Sequence, residues 1–390
     1  MVTYVIDRPS PFRIQIPDDA VTDLHQRLER ARWPDKHPGR EWQDGADVDY
    51  IKEVCEHWRL HYDWRQAESA LNALPQFVAR IDGLDIHFVH VRGKGAAPRP
   101  LLVAHGWPSG FPEFQKLIPL LTDPAAHGGD PNCTFDIIAP SMPGFGFSQA
   151  PLAEGMHSGA VADLWLKLMR DVLGYDRFFA HGGDIGAHVV NGLARRYPRN
   201  VAAVHTMAAP SAGSVDDPSA AETSWLTYVD EWDREEGGYW RLQRTKPQSL
   251  AVGLNDSPAG LAAWILEKWH GWSECGGALD SILPRDELLT LLSLYWFTGT
   301  IGSSMRMYYE NARSPSSAGE RITIPARLFL TLEKVDLCPP EYARRSFSDL
   351  SYGVTKRGGH FLAAEEPDLL ADDIRWFFSG CELNLPRGQA

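Results

Sequence analysis

At residues 180–190 the chain reads AHGGDIGAHVV. An apolar run (RFFA) enters a glycine-flanked turn, and a small, helix-prone segment leaves it. That is the layout of a nucleophile elbow, in which one side chain is held exposed at a sharp strand-to-helix turn. The residue at the apex is Asp184, where an esterase or peptidase would carry Ser or Cys. An aspartate is ionised at neutral pH without help. It can displace a leaving group from an sp³ carbon and become an alkyl ester, which water then hydrolyses at the Asp carbonyl.

That chemistry calls for a base, an acid to orient the base, and donors for an oxyanion. His360 lies in KRGGHFLAAEEP, a Gly-rich loop before the last helix, and is the candidate base. The segment EKVDL, after a late apolar run, offers Glu333 and Asp336 as the acid. Asp336 is preferred because it sits past the strand end, just before LCPPEYARR, where the chain must turn; Glu333 is the alternative. AHGWPSG (104–110) ends an early strand and supplies one oxyanion donor, the backbone N–H of Trp107. The other is the backbone N–H of Ile185, the residue after the nucleophile. Singly, a turn Asp or a loop His is ordinary structure. In the order nucleophile, acid, histidine they follow the α/β-hydrolase pattern. No G-x-S-x-G occurs, and the nearest approach, GFSQA around Ser148, follows a loop and not a strand.

Two leaving groups suit an aspartate nucleophile, a halide or the oxygen of a strained epoxide. An epoxide oxygen needs proton donors, for which Tyr228, Tyr239, Tyr295, Tyr308 and Tyr309 are available. A halide needs N–H donors, which tryptophans offer. Composition leaves that choice open.

The surrounding elements are those the site requires. Residues 1–78 read as a helical N-terminal segment, with helices over DDAVTDLHQRLERARW and VDYIKEVCEHWRLHY. His57 and His61 are four apart, as in a zinc helix, but Trp58 stands where a catalytic Glu would be, so no metal is expected. From Ala79 the pattern turns to β: a hairpin with Asp82-Gly83 near its turn, then PLLVAHG, TFDIIAP, DRFFAHGG and VAAVHTM as buried strands. Helices alternate with them, which implies a mostly parallel sheet covered on both faces. After Met207 the alternation stops for a helical, Trp-rich stretch, and it resumes at ITIPARLFLTL. The expected divisions are a first core part over 79–211, a helical cap over 212–318 and a second core part over 319–390.

Composition limits the function classes. A net charge of −13 without a basic cluster argues against nucleic acid as a partner. Five scattered cysteines without C-x-x-C spacing fit a reducing cytoplasm better than a disulfide framework or zinc cluster. No stretch approaches the roughly 18 apolar residues of a membrane span. Of the 14 tryptophans, seven lie between Trp225 and Trp296, which suggests a bulky apolar pocket.

HGWP, GGDIG, the stretch 238–269 beginning GYWRLQ, LYWFTGTIGSSMRMYYEN and RGGHFLAAEEP together resemble the microsomal-type epoxide hydrolases. HYDWRQAESALNALPQF resembles that family's N-terminal segment, which packs around the hydrolase core. The resemblance spans most of the chain. It implies an α/β-hydrolase fold with an inserted helical cap, and hydrolysis of an epoxide by water to a vicinal diol with no cofactor or metal. It assigns ring opening to Tyr239 and Tyr308, with Tyr309 the adjacent alternative to Tyr308. The membrane-anchoring segment of animal members is missing, from which no membrane anchor is expected. The family commonly has an aromatic residue where this chain has Ile185, and often uses Glu as the acid. The sequence also looks like actinomycete members from enediyne-antibiotic pathways, which implies a large aryl epoxide. A haloalkane dehalogenase and a non-catalytic binding protein of the same fold are the alternatives, and a homodimer stays open.

Overall fold

A computed structural model describes residues 8–314 and 320–383. Its strands are β1 (Ser10–Phe12), β2 (Gln76–Ile81), β3 (Leu84–Val91), β4 (Arg99–Ala104), β5 (Phe135–Pro140), β6 (Phe178–Gly182), β7 (Val201–Thr206), β8 (Ile322–Leu330) and β9 (Phe347–Val354). They form one sheet in the order β1-β2-β3-β5-β4-β6-β7-β8-β9. The first three strands and the β3–β5 pairing are antiparallel, and every other pairing is parallel. Asp82 and Gly83 take φ of 51° and 84°, the two left-handed positions that a tight hairpin turn between β2 and β3 requires.

Strands β5, β6 and β7 are buried along their whole length, as expected of parallel strands covered on both faces. Neighbouring residues of β7 show that cover, because successive side chains point to opposite faces. His205 Nε2 lies 3.0 Å from Asp373 of the helix Pro367–Ser379. Thr206 Oγ1 accepts from Asn191 Nδ2 of the helix Asp184–Arg196 at 3.1 Å. The fold is an α/β-hydrolase fold.

The expected N-terminal helices appear as Asp18–Glu29 and Val48–Leu60, followed by Trp64–Leu71. The side chains of Asp47 and Asp63 cap the second and third by accepting backbone N–H groups. Ser10–Phe12, within this segment, is a strand that pairs with β2 and extends the sheet at its edge, and β2 itself begins at Gln76. Among the described residues six α-helices lie between β7 and β8, from Ala220–Glu235 to Ile301–Asn311. The expected end of this block at 318 falls outside the described residues. The N-terminal helices pack against it, and the fully buried Trp58 donates from Nε1 to Ser293 Oγ at 2.9 Å. His57 is spent on Asp286, with Nε2 2.7 Å from its carboxylate. No cluster of metal-ligating side chains occurs among the described residues.

The elbow depends on close backbone approach. A Cβ on Gly186 would lie 2.1 Å from the carbonyl oxygen of Ala104, at the end of β4. One on Gly182 would lie 2.5 Å from the Gly186 oxygen. Gly192, on the same helix, would meet only the Ala162 side chain at 3.6 Å, an ordinary contact. Gly186→Ala is therefore expected to destabilise the protein by about 1–3 kcal/mol. Gly192→Ala should stabilise it by up to about 1 kcal/mol, because alanine is the better helix former. Urea denaturation of the two variants checks this, and equal effects would contradict the close-approach account.

Candidate active site

Asp184 is the first residue of the helix Asp184–Arg196, directly after β6 and Gly183. Its φ is +48°, a left-handed conformation rare outside glycine and sustained only where the surroundings enforce it. The turn aims the carboxylate at the loop after β4. There the Trp107 N–H donates to Asp184 Oδ1 at 2.8 Å, and the Ile185 N–H faces the same carboxylate and helps to keep it ionised. Gly106 makes room for it, since a Cβ there would lie 2.4 Å from Asp184 Cβ. Both predicted oxyanion donors thus point at the predicted nucleophile.

His360 stands on the other side of Asp184. Its Nε2 is 3.5 Å from Asp184 Oδ2, and its Nδ1 is 3.5 Å from Asp336 Oδ2. Both contacts are slack for hydrogen bonds, as resting catalytic pairs often are. Burial works to lower the His360 pKa, but the two carboxylates outweigh it and hold the ring well above the ordinary value of 6.5. Burial likewise opposes ionisation of Asp184, yet His360 and the two backbone N–H groups keep its carboxyl below 3.8. Glu333 makes no hydrogen bond or ion pair with His360. Burial and the neighbouring Asp336 charge push its carboxyl up to about 7. Of the two candidate acids, the structure brings Asp336 to the histidine.

Tyr239 and Tyr308 come together over this group. Their ring centroids are 6.0 Å apart, and both pack on Trp107, at 5.8 Å and 5.7 Å. Burial, helped by the Asp184 charge, raises both phenols well above the usual tyrosine value, so both hydroxyls keep their protons. Tyr309 points elsewhere, with the Arg313 guanidinium stacked 3.4 Å from its ring centroid. Tyr295 is buried and donates to the Ser109 carbonyl at 2.8 Å. Tyr228 feels the carboxylates of Glu333, Glu236 and Glu235.

The sequence reading missed the supports of the two loops. The Trp269 indole N–H donates to the Pro108 carbonyl at 3.1 Å, and its ring stacks on Phe361 at 3.7 Å. The Trp272 carbonyl accepts the His360 N–H at 2.8 Å. Glu365 accepts the N–H groups of Gly359, Phe361 and Glu274 at 2.9–3.0 Å. The one trace of this in the sequence is Gly359, where a Cβ would lie 2.5 Å from the Trp272 oxygen.

Residues 9–114 match the family described as epoxide hydrolase N terminus, and residues 99–261 match the alpha/beta hydrolase fold. Epoxide hydrolase 1 of Sus scrofa is 38% identical over 94% of this chain and 88% of its own length. The chain belongs to the microsomal-type epoxide hydrolase family. The crystal structure of juvenile hormone epoxide hydrolase from the silkworm Bombyx mori superposes with a TM-score of 0.87 at 30% identity, covering 96% of this chain and 94% of that one. The Aspergillus niger epoxide hydrolase structure gives 0.82 at 27% identity, with 96% of each chain covered. Likeness along nearly the whole length takes in the N-terminal helices and the helical block as well as the sheet. No described helix is long and apolar enough to cross a membrane.

For this family member, Asp336→Asn should lower kcat on an aryl epoxide by about 10²-fold or more, because the histidine loses its orienting charge. Glu333→Gln should cost less than about tenfold. Steady-state diol formation by the two variants checks this, and the reverse ranking would transfer the orienting role to Glu333.

Proposed function

We propose that this chain hydrolyses an epoxide to a vicinal diol through an ester formed on Asp184. The observation that carries the mechanism is the unequal treatment of the two Asp184 oxygens. Oδ1 is tied to the Trp107 N–H, while Oδ2 faces His360 at 3.5 Å and keeps its lone pairs for attack. Oδ2 attacks an epoxide carbon, the ring C–O bond breaks, and the ring oxygen takes the proton of Tyr239 or Tyr308. The products are a hydroxyalkyl ester and a tyrosinate.

Ester formation itself prepares the second step. The Asp184 charge that helped to hold the proton on His360 is gone, and the tyrosinate is a strong base. The proton passes from His360 to the tyrosinate, which leaves a neutral imidazole oriented by Asp336. That imidazole takes a proton from water as the oxygen attacks the ester carbonyl. The developing oxyanion is Oδ1, and the Trp107 and Ile185 N–H groups are already directed at the carboxylate that forms it. Collapse expels the diol, whose alkoxide takes the proton from His360. The carboxylic acid left on Asp184 then gives its proton to His360, and the resting pair is restored.

An aromatic wall of Trp107, Tyr239, Trp272 and Tyr308 supports a bulky apolar or aryl epoxide as the substrate. Five free, dispersed cysteines fit a reducing cytoplasm.

The test is the intact mass of His360→Gln after exposure to styrene oxide and larger aryl epoxides. Without the base the ester should form and persist, giving an adduct of epoxide mass on the peptide that contains Asp184. A variant that stays unmodified by epoxides the wild type consumes would overturn the ester reading.

A further inference from the structure

Beside Asp184 and His360 lies a small cavity, lined also by Ser109, Glu113, His181 and Met207. It leaves about 10 Å³ for the centre of a water-sized sphere, which is room for one water. Nothing in the mechanism above uses Glu113, yet its carboxyl is turned into this space. Among the described residues its one hydrogen-bond partner is the Ser109 hydroxyl, which donates to Oε2. No hydrogen bond to Oε1 occurs among the described residues, so this oxygen is open to a water in the cavity that Glu113 lines together with Asp184 and His360.

We propose that Glu113 is the water-holding residue of ester hydrolysis: its Oε1 accepts one hydrogen of the attacking water while His360 Nε2 removes the other. The inference rests on the Asp184 ester reading and deepens it. A water between one base and one ester carbonyl can still rotate about the hydrogen bond to the base. A second acceptor removes that freedom and directs a lone pair at Asp184 Cγ. The new bond joins the water oxygen to Cγ, and the electron pair of the C=O bond moves to Oδ1. One proton goes to His360; the other hydrogen stays on the oxygen and keeps its bond to Glu113.

The rest of the loop is built to hold that carboxyl in place. Tyr295 and Trp269 donate to the Ser109 and Pro108 carbonyls, so the segment that carries Ser109 is pinned from the helical block. Burial pushes the Glu113 carboxyl up to about 7, with Asp184 adding to the rise and Ser109 and His360 opposing it. Esterification removes the Asp184 charge, so the carboxylate form is favoured in the step that needs an acceptor.

The experiment is single-turnover kinetics with excess wild type, Glu113→Leu, Glu113→Gln and Ser109→Ala, quenched to resolve ester from diol. Leucine keeps the volume and removes the acceptors, glutamine keeps one accepting oxygen, and Ser109→Ala frees the carboxyl from its support. Ester formation should stay within about twofold of wild type in all three, which also shows that they are folded. Ester hydrolysis should fall by about 10²-fold in Glu113→Leu and by less in the other two. In steady state kcat and KM should fall together, because ester accumulates. Hydrolysis at the wild-type rate in Glu113→Leu would overturn the proposal. So would equal losses in both steps, which would make Glu113 a support of the elbow alone. Should Glu113→Leu not fold, unchanged hydrolysis in both Glu113→Gln and Ser109→Ala overturns it equally. If the wild type and His360→Gln form no ester at all, the underlying reading fails, and this one with it.

Discussion

Moving a carboxylate out of water costs several kcal/mol even after the protein relaxes. Asp184 is held most of the way to that condition, its side chain 21% exposed, at the end of β6, and the groups that offset the cost arrive from three separate parts of the chain. The Trp107 N–H comes from the loop after β4, the Ile185 N–H from the first turn of the elbow helix, and His360 from the loop after β9. The helix start adds its own partial positive charge. Parallel pairing places these pieces together: Ala104 of β4 is in register with Gly182 of β6, so the two strands end side by side. Glycines at 106, 182 and 186 then let the loops close around the carboxylate. A reactive group that is stable only because of its neighbours is also one whose reaction changes them. In the proposed mechanism the ester removes one negative charge from this group, and with the tyrosinate formed in the same step that turns His360 from a counter-ion into a base.

The helical block does more than cover the site. Trp269 and Tyr295 hold the oxyanion loop, the Trp272 carbonyl holds the histidine loop, and Tyr239 and Tyr308 face the nucleophile from the same block. The ring packing that places Tyr239 and Tyr308 and the hydrogen bonds that hold the Trp107 and His360 loops therefore run through one set of helices. The N-terminal helices in turn brace that block, through Trp58 to Ser293 and through His57 to Asp286.

Much of this was legible in the residues because it depends on local backbone chemistry. GGDIG can be read as an elbow since its glycines permit one specific turn, and the strands announce themselves as apolar runs that end in glycine or proline. The order of Asp184, Asp336 and His360 along the chain pointed to the three side chains that the fold brings together. What was hidden depends on rotation and on distant partners. Tyr308 and Tyr309 are adjacent on a helix, about 100° apart, so only one faces the site. Which one does so is set by the packing of Ile301, Met305 and Met307, not by the tyrosines. Glu333 and Asp336 share one loop, and only its folding brings the second to the histidine. Trp269 and Glu365 look like ordinary core and surface residues, since Trp269 donates to Pro108, 161 positions away, and Glu365 ties its own loop to Glu274, 91 positions away. Ser10–Phe12 is too short for any alternation to reveal a strand.

The central claim is that the oxygen added to the epoxide comes first from Asp184 and only afterwards from water. It is tested most directly by one turnover of an epoxide by excess enzyme in H₂¹⁸O. The account predicts unlabelled diol, with one ¹⁸O in the peptide that contains Asp184. Diol carrying ¹⁸O from that first turnover, with an unlabelled Asp184 peptide, would mean that water attacks the epoxide directly, and would contradict it.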